Sequence, residues 1–304
     1  MTSERSFLSI GECMVELAQT GSDTYRRGFA GDTFNTAWYA RRLLPDEWRV
    51  SYGSCIGTDA VSEEMAAFME AEGIDTTTLR RVPDRSVGLY MISTEGGERS
   101  FSYWRSQSAA RLLADDSGWL DEVLGSRDYV HLSGITLAIL PAAQRSNLCN
   151  ALKRAREGGT FVSFDTNLRP RLWEDEKTMR EGLTMGAEAA DLVLPSFDEE
   201  TGLFGDPTPA DTVARYRAGG ARMVVVKNGG EDVTLWSADG TDTALSPERV
   251  ADPVDTTAAG DSFAAAVLAG LATGKSLEDA VAVAMILSAK VIRSHGALAP
   301  AIFD

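Results

Sequence analysis

The chain has 304 residues, 44% hydrophobic and 24% charged, so it carries enough apolar surface for a sizeable core and does not read as disordered. Its 29 Lys and Arg against 45 Asp and Glu leave a formal net charge of -16, which repels phosphate backbones and anionic bilayers and argues against nucleic acid or a membrane as a partner. An anionic small molecule can bind only where local arginines overcome that field.

From the N-terminus, residues 1–6 lead into a short apolar run at 7–10 of buried-strand length, with neither a signal peptide nor a span, so a cytoplasmic protein is expected. The stretch 13–29 is turn-rich and poor in helical period. Helical period follows at 33–44, a strand-like run at 50–54, and helical period again at 62–72. Residues 87–94 and 99–104 are β-like and flank Glu95-Gly96-Gly97-Glu98, a hairpin signal with a glycine turn. Further on, strand-like runs at 129–132, 161–164, 192–194 and 223–226 alternate with helical segments such as 141–156. A run at 233–236 and two more strand-like pieces precede two alanine-rich helices, at 260–272 and 277–294.

This alternation predicts an α/β fold: a central, mostly parallel sheet flanked by helices on both faces, with ligands near the carboxyl ends of its strands. Residues 1–12, 32–84 and 107–304 are expected to form that core. Residues 13–31 and 85–106 are expected to form a small β-sheet lid over its active face, with Tyr90, Tyr103, Trp104 and Arg105 clustered on the hairpin. The three cysteines, Cys13, Cys55 and Cys149, lack metal-ligand spacing and sit among apolar residues, as buried free thiols do. His131 reads as a core histidine and His295 as part of a helix end.

The chemistry concentrates in Val254-Asp255-Thr256-Thr257-Ala258-Ala259-Gly260-Asp261-Ser262-Phe263, where small residues precede an amphipathic helix. Unpaired backbone N–H groups gather at such a start and bind anions. Donors already aimed at a transferring phosphoryl group lower its barrier without reorganising. From the residues alone, Asp261 is either a cap for the helix or a base for an attacking hydroxyl.

The full string resembles the Asp-Thr-Thr-Gly-Ala-Gly-Asp signature of the PfkB, or ribokinase-like, carbohydrate kinases, with Ala258 where most members carry the first glycine. The resemblance implies a three-layer ribokinase-like fold, ATP and Mg2+ as cofactors, Asp261 as catalytic base, and Ala258, Ala259 and Gly260 as the anion hole. Alanine at 258 keeps the N–H, and the change is harmless if φ there is negative. No Gly-x-x-x-x-Gly-Lys-Ser/Thr string occurs, which disfavours a P-loop kinase.

Other segments resemble the family's motifs in family order. Gly28 to Ala37 is similar to the N-terminal substrate motif, implying substrate contacts from Gly31, Asp32 and Asn35. Asp165-Thr166-Asn167-Leu168-Arg169 resembles the Asp-x-Asn-x-Arg segment, with Asn167 near the phosphates. Leu194 to Glu199 resembles Asn-x-x-Glu with Ser196 in place of Asn, and implies that Glu199 holds magnesium indirectly, through water. Val225 to Gly230 resembles the nucleotide-binding strand end, with Lys227, Gly229 and Gly230 near ATP, although Asn228-Gly229-Gly230 also reads as a simple turn.

Within the family, Ile10 to Met14, Tyr103-Trp104-Arg105, Leu132 to Ile135 and Asp165 to Trp173 resemble the subgroup that phosphorylates 2-keto-3-deoxygluconate. Guanidinium groups recognise carboxylates through paired, charge-assisted hydrogen bonds. Arg105 and Arg169 are therefore expected to bracket the carboxylate of a sugar acid, with Tyr90 and Tyr103 along its chain; Arg169 touching ATP phosphate is the other reading. A kinase for fructose or for 2-keto-3-deoxygalactonate, and a non-catalytic sugar-acid sensor, are the alternatives. The edges of a small exposed sheet also suggest a homo-oligomer.

Overall fold

The computed structural model describes residues 5–95 and 98–303. It opens with β1 (Arg5–Ile10), leaves through β2 (Met14–Gln19) and β3 (Tyr25–Ala30), and returns in α1 (Asp32–Leu43). β4 (Trp48–Ile56), α2 (Ala60–Ala71) and β5 (Leu79–Arg81) precede a second excursion, β6 (Gly88–Glu95) and β7 (Glu98–Trp104). Alternation then becomes regular through α3 (Ser117–Leu124), β8 (Tyr129–Ser133), the short α4 (Gly134–Ala138), α5 (Ala142–Glu157), β9 (Phe161–Asp165), α6 (Glu176–Glu188) and β10 (Leu192–Val193). After α7 (Phe197–Phe204), α8 (Pro209–Ala218) and β11 (Met223–Val226), the strands β12 (Val233–Ser237) and β13 (Asp242–Leu245) precede the last two helices, α9 (Ala259–Ala272) and α10 (Leu277–Val291).

Nine strands form one sheet in the order β13-β12-β11-β10-β9-β8-β1-β4-β5, parallel except where β12 and β13 run antiparallel at one edge. Its central strands are buried on both faces, which is why they read as continuous apolar runs rather than alternating ones. In β1, Phe7 packs into the layer of α1, α2, α9 and α10, while Leu8 and Ile10 pack into the layer of α3 to α8. His131 on β8 is buried against Ser163 (Nδ1 to Oγ 2.9 Å), and burial pushes its pKa down to about 4, so it is a neutral core histidine. All three cysteines are buried and free.

The two excursions meet as a separate four-stranded sheet, ordered β3-β2-β6-β7. Its parallel pair, β2 with β6, joins segments far apart in sequence, while β2 with β3 and β6 with β7 are antiparallel hairpin pairs. The turn-rich stretch 13–29 is thus largely strand. The glycine turn expected at Gly96 and Gly97 lies outside the described residues. No described helix is long and apolar enough to cross a membrane.

From β1 the chain builds outward to β4 and β5, then restarts on the other side of β1 with β8. The strand order reverses there, opening a crevice at the carboxyl ends of β1 and β8, the usual ligand position in an open α/β sheet.

Candidate active site

A cavity of about 540 Å³ occupies that crevice between the sheet, the N-termini of α1 and α9, and the small sheet. Gly31, Asp32, Asn35, Tyr90, Tyr103, Arg105, Asn167, Arg169, Ser196, Glu199, Lys227 and Ala258 to Asp261 all line it. Gly229 lines an adjoining cavity of about 250 Å³ that shares Ser196, Lys227, Ala259 and Gly260 with the first and adds apolar Val233, Phe263 and Met285. Gly230, expected near the nucleotide, borders neither and is exposed, next to the left-handed Gly229 (φ 56°).

The turn before α9 is held from within and from behind. Asp255 is buried and accepts from Thr257 N (3.0 Å), Thr257 Oγ1 (2.7 Å) and Gly296 N (2.8 Å). Val254 N and Asp255 N donate to Ile292 O at the end of α10 (2.8 and 3.1 Å). Among the described residues, the N–H groups of Ala258, Gly260 and Asp261 have no acceptor, whereas that of Ala259, expected in the anion hole, donates to Thr256 O (3.2 Å), so the helix start presents unpaired donors to the cavity without it. The segment from Ser294 onward therefore braces the turn, and its Ala297 lines the cavity.

The condition under which alanine at 258 would be harmless, a negative φ, is not met. The φ of 60° and ψ of 15° at Ala258 are left-handed, a conformation in which a Cβ crowds the neighbouring carbonyl at a cost of about 1–2 kcal/mol. Replacement by glycine removes that cost but adds about 0.4–1 kcal/mol of unfolded-state entropy. Ala258→Gly is therefore expected to raise the unfolding free energy by roughly 0.5–1 kcal/mol, read from denaturant melts. An unchanged or lower midpoint would show that the surroundings relieve the strain.

Asp261 sits in the first turn of α9, and its Oδ2 accepts from Asn35 Nδ2 (2.8 Å) on α1. Burial pushes its pKa up to about 8, reinforced by the negative charges of Asp32 and Asp165 and opposed by the Asn35 bond and by Lys227. A carboxylate so raised holds an abstracted proton far better than an ordinary aspartate. Asn35 can reach it because α1 begins close behind β1. A Cβ at Gly31 would lie 2.2 Å from Glu12 O, so only glycine permits that approach.

Opposite, Lys227 at the end of β11 donates to Asp165 Oδ2 (2.7 Å), and Asp165 Oδ1 accepts from Asn167 N (3.1 Å). Asn167 is left-handed (φ 31°), a conformation asparagine tolerates better than most residues, and its Nδ2 donates to Asp32 Oδ2 (2.8 Å). Asn167, expected near the phosphates, thus meets Asp32, a residue expected at the sugar. Glu199 accepts from Leu168 N (3.0 Å) and Arg169 Nη1 (3.1 Å), tying the loop after β9 to α7; burial raises its pKa.

Across the cavity, Arg105 follows β7 and is paired with the buried Glu12, with Nε to Oε2 at 2.8 Å. Tyr90 donates its hydroxyl to Glu16, and its ring lies 5.9 Å from that of Tyr103, which stacks on Phe101. The lining includes residues to which the sequence assigned no role: Glu12, Phe101, Ile135, Asp165 and Ala297. Asp165 had a visible signal, since it opens the Asp-x-Asn-x-Arg segment at the end of a buried strand. Phe101 had one too, by its two-residue spacing from Tyr103 on a β-strand.

Strand order, the separate four-stranded sheet and a donor-lined helix start at the reversal crevice define a ribokinase-like α/β fold. Residues 4–302 match the pfkB family carbohydrate kinases, and the chain belongs to that family. Among its relatives, the 2-dehydro-3-deoxygluconokinase of Escherichia coli (strain K12) is 39% identical over 300 residues, covering 96% of each chain. That of Dickeya dadantii (strain 3937) is 40% identical over 299 residues with the same coverage. Of the solved structures, a PfkB protein from Polaromonas sp. JS666 superposes with a TM-score of 0.85 at 28% identity, covering 99% of each chain.

Proposed function

We propose that the chain transfers the γ-phosphoryl group of MgATP to the primary hydroxyl of 2-keto-3-deoxygluconate (2-dehydro-3-deoxygluconate), giving the 6-phosphate. The full-length likeness to 2-dehydro-3-deoxygluconokinases supports it. The observation that carries it is that Arg105 lines the same cavity as Asp261, so a carboxylate held by the arginine lies across from the base.

In this reading Asp261 takes the proton of the primary hydroxyl. The freed oxygen bonds to the γ-phosphorus as the bond to the bridging oxygen breaks, and ADP departs with that oxygen. The N–H groups of Ala258, Gly260 and Asp261, with the Lys227 ammonium, hold the negative charge on the transferring group. The adjoining cavity, with Gly229, Val233, Phe263 and Met285 on its walls, suits the flat apolar faces of a nucleotide base. Glu199 is positioned by two hydrogen bonds and keeps lone pairs for the ordered water of a magnesium ion, which would supply charge neutralisation at the phosphates. Arg169, half-exposed beside Glu199, is assigned to the sugar acid from the core side.

The division into a core (1–12, 32–84 and 107–304) and a lid (13–31 and 85–106) follows from the same reading, because the small sheet carries Tyr90, Tyr103 and Arg105 and its closure would exclude water. Exposed Trp104, on the edge strand β7, supports the expected homo-oligomer, which light scattering reads directly.

A substrate panel with ATP tests the function. Turnover with 2-keto-3-deoxygluconate well above that with fructose or 2-keto-3-deoxygalactonate is expected. A preference for fructose would overturn the sugar-acid assignment, and no ATP consumption with any of them would leave the sensor reading standing.

A further inference from the structure

We infer that Glu12 is a positioning residue that presets the Arg105 guanidinium for the substrate carboxylate, and that Gly88 exists as glycine to make room for the pair. The inference rests on the reading that Arg105 binds that carboxylate.

Glu12 lies two residues beyond the end of β1 at the reversal crevice, and its side chain is 1% exposed against 10% for Arg105. Arg105 spends two of its N–H groups, on Nε and Nη2, on the single oxygen Oε2. Among the described residues its Nη1 has no acceptor, and both side chains line the cavity. One edge of the guanidinium is therefore fixed to the protein, while a second edge remains for a planar anion.

Among the described residues, the other Glu12 oxygen, Oε1, is buried without a partner. It lies against the backbone of β6, where a Cβ added at Gly88 would stand 2.8 Å from Oε1, 3.1 Å from Met14 Cγ and 3.2 Å from Arg105 Cβ. A buried ion pair is a poor source of stability, since desolvating two charges cancels most of their attraction, and an orphaned carboxylate oxygen adds to the cost. What the arrangement supplies instead is orientation. An arginine has a long stem with many rotamers, and freezing it before the substrate arrives removes that cost from the binding step. The inner carboxylate also occupies the Nε side, so the incoming one is directed to Nη1.

The test compares Glu12→Gln, Glu12→Asp and Gly88→Ala with Arg105→Ala, by steady-state kinetics on the full chain. Glu12→Asp keeps the charge but shortens the reach, while Gly88→Ala keeps both charged residues and displaces Oε1. Each of these three is expected to raise KM for the sugar acid by about tenfold, with kcat and KM for ATP within about threefold of the parent. Equal losses in kcat and in KM for ATP would mark a merely structural role and overturn the inference, as would an unchanged KM for the acid. If Glu12→Gln fails to fold, Gly88→Ala and Glu12→Asp still decide. Arg105→Ala separates the two levels. Should it raise KM for the acid while the other three do not, only the role of Glu12 falls; should it leave that KM unchanged, the carboxylate reading beneath it falls.

Discussion

Asp261→Asn is expected to lower kcat by roughly 10²- to 10⁴-fold, the usual contribution of a positioned general base, while leaving ATP binding near that of the parent. Asparagine keeps the size of the side chain and can still bond Asn35, so the turn and its donors should persist. Isothermal titration with ATP and a coupled ADP assay read the two quantities separately. Turnover within tenfold of the parent would remove Asp261 from the proposed chemistry.

The environment of Asp261 adds two results that a simple loss of activity does not. Burial and the charges of Asp32 and Asp165 raise its pKa to about 8, so kcat/KM should climb with pH toward that value rather than level off in the ordinary carboxylate range. The second result concerns stability. Because the folded pKa lies above the unfolded value of 3.8, the folded state binds the proton more tightly. The stability this gives is present below the unfolded pKa and is lost as pH rises through the folded one. At pH 8 and without ligands, Asp261→Asn should therefore melt higher than the parent, by about 2 °C for each kcal/mol relieved in a chain of this size. A lower Tm would mean that the carboxylate stabilises the turn instead of straining it.

Arg105→Ala carries the next largest effect. Hydrogen bonds to a charged partner contribute about 1.5–3 kcal/mol, so kcat/KM for the sugar acid should fall by roughly 10- to 150-fold. Activity toward fructose, which has no carboxylate, should change little. The loss is expected mainly in KM, because the carboxylate is bound equally before and during phosphoryl transfer. Removing Arg105 also strands Glu12 as a buried, unpaired charge, so thermal stability should drop with it. A preference for the acid that survives the substitution would assign the carboxylate to Arg169 or to no arginine.

The parallel core was legible in the chain because its strands are buried on both faces. Runs such as 223–226 show no polar residue, and helical period separates them. The hairpin of β6 and β7 was legible from two β-like runs flanking a segment with paired glycines. That β2 pairs in parallel with β6 was not, since no local pattern links positions 14–18 to 88–92. The left-handed Ala258 was hidden for a different reason: alanine rarely adopts that conformation, and only its surroundings impose it.

The turn ending in Asp261, the two arginines and the motifs around them could be picked out because each lies in a contiguous string that resembles a family motif, whereas the residues alone left Asp261 as either a cap or a base. Long-range packing alone established which of these side chains meet. Asn35 reaches Asp261 across 226 positions, Asn167 reaches Asp32 across 135, and Glu12 holds Arg105 across 93. Hydrogen-bond partners and pKa values depend on distances between side chains on separate elements, and the reversal of strand order beside β1, together with the small sheet, brings those elements around one cavity.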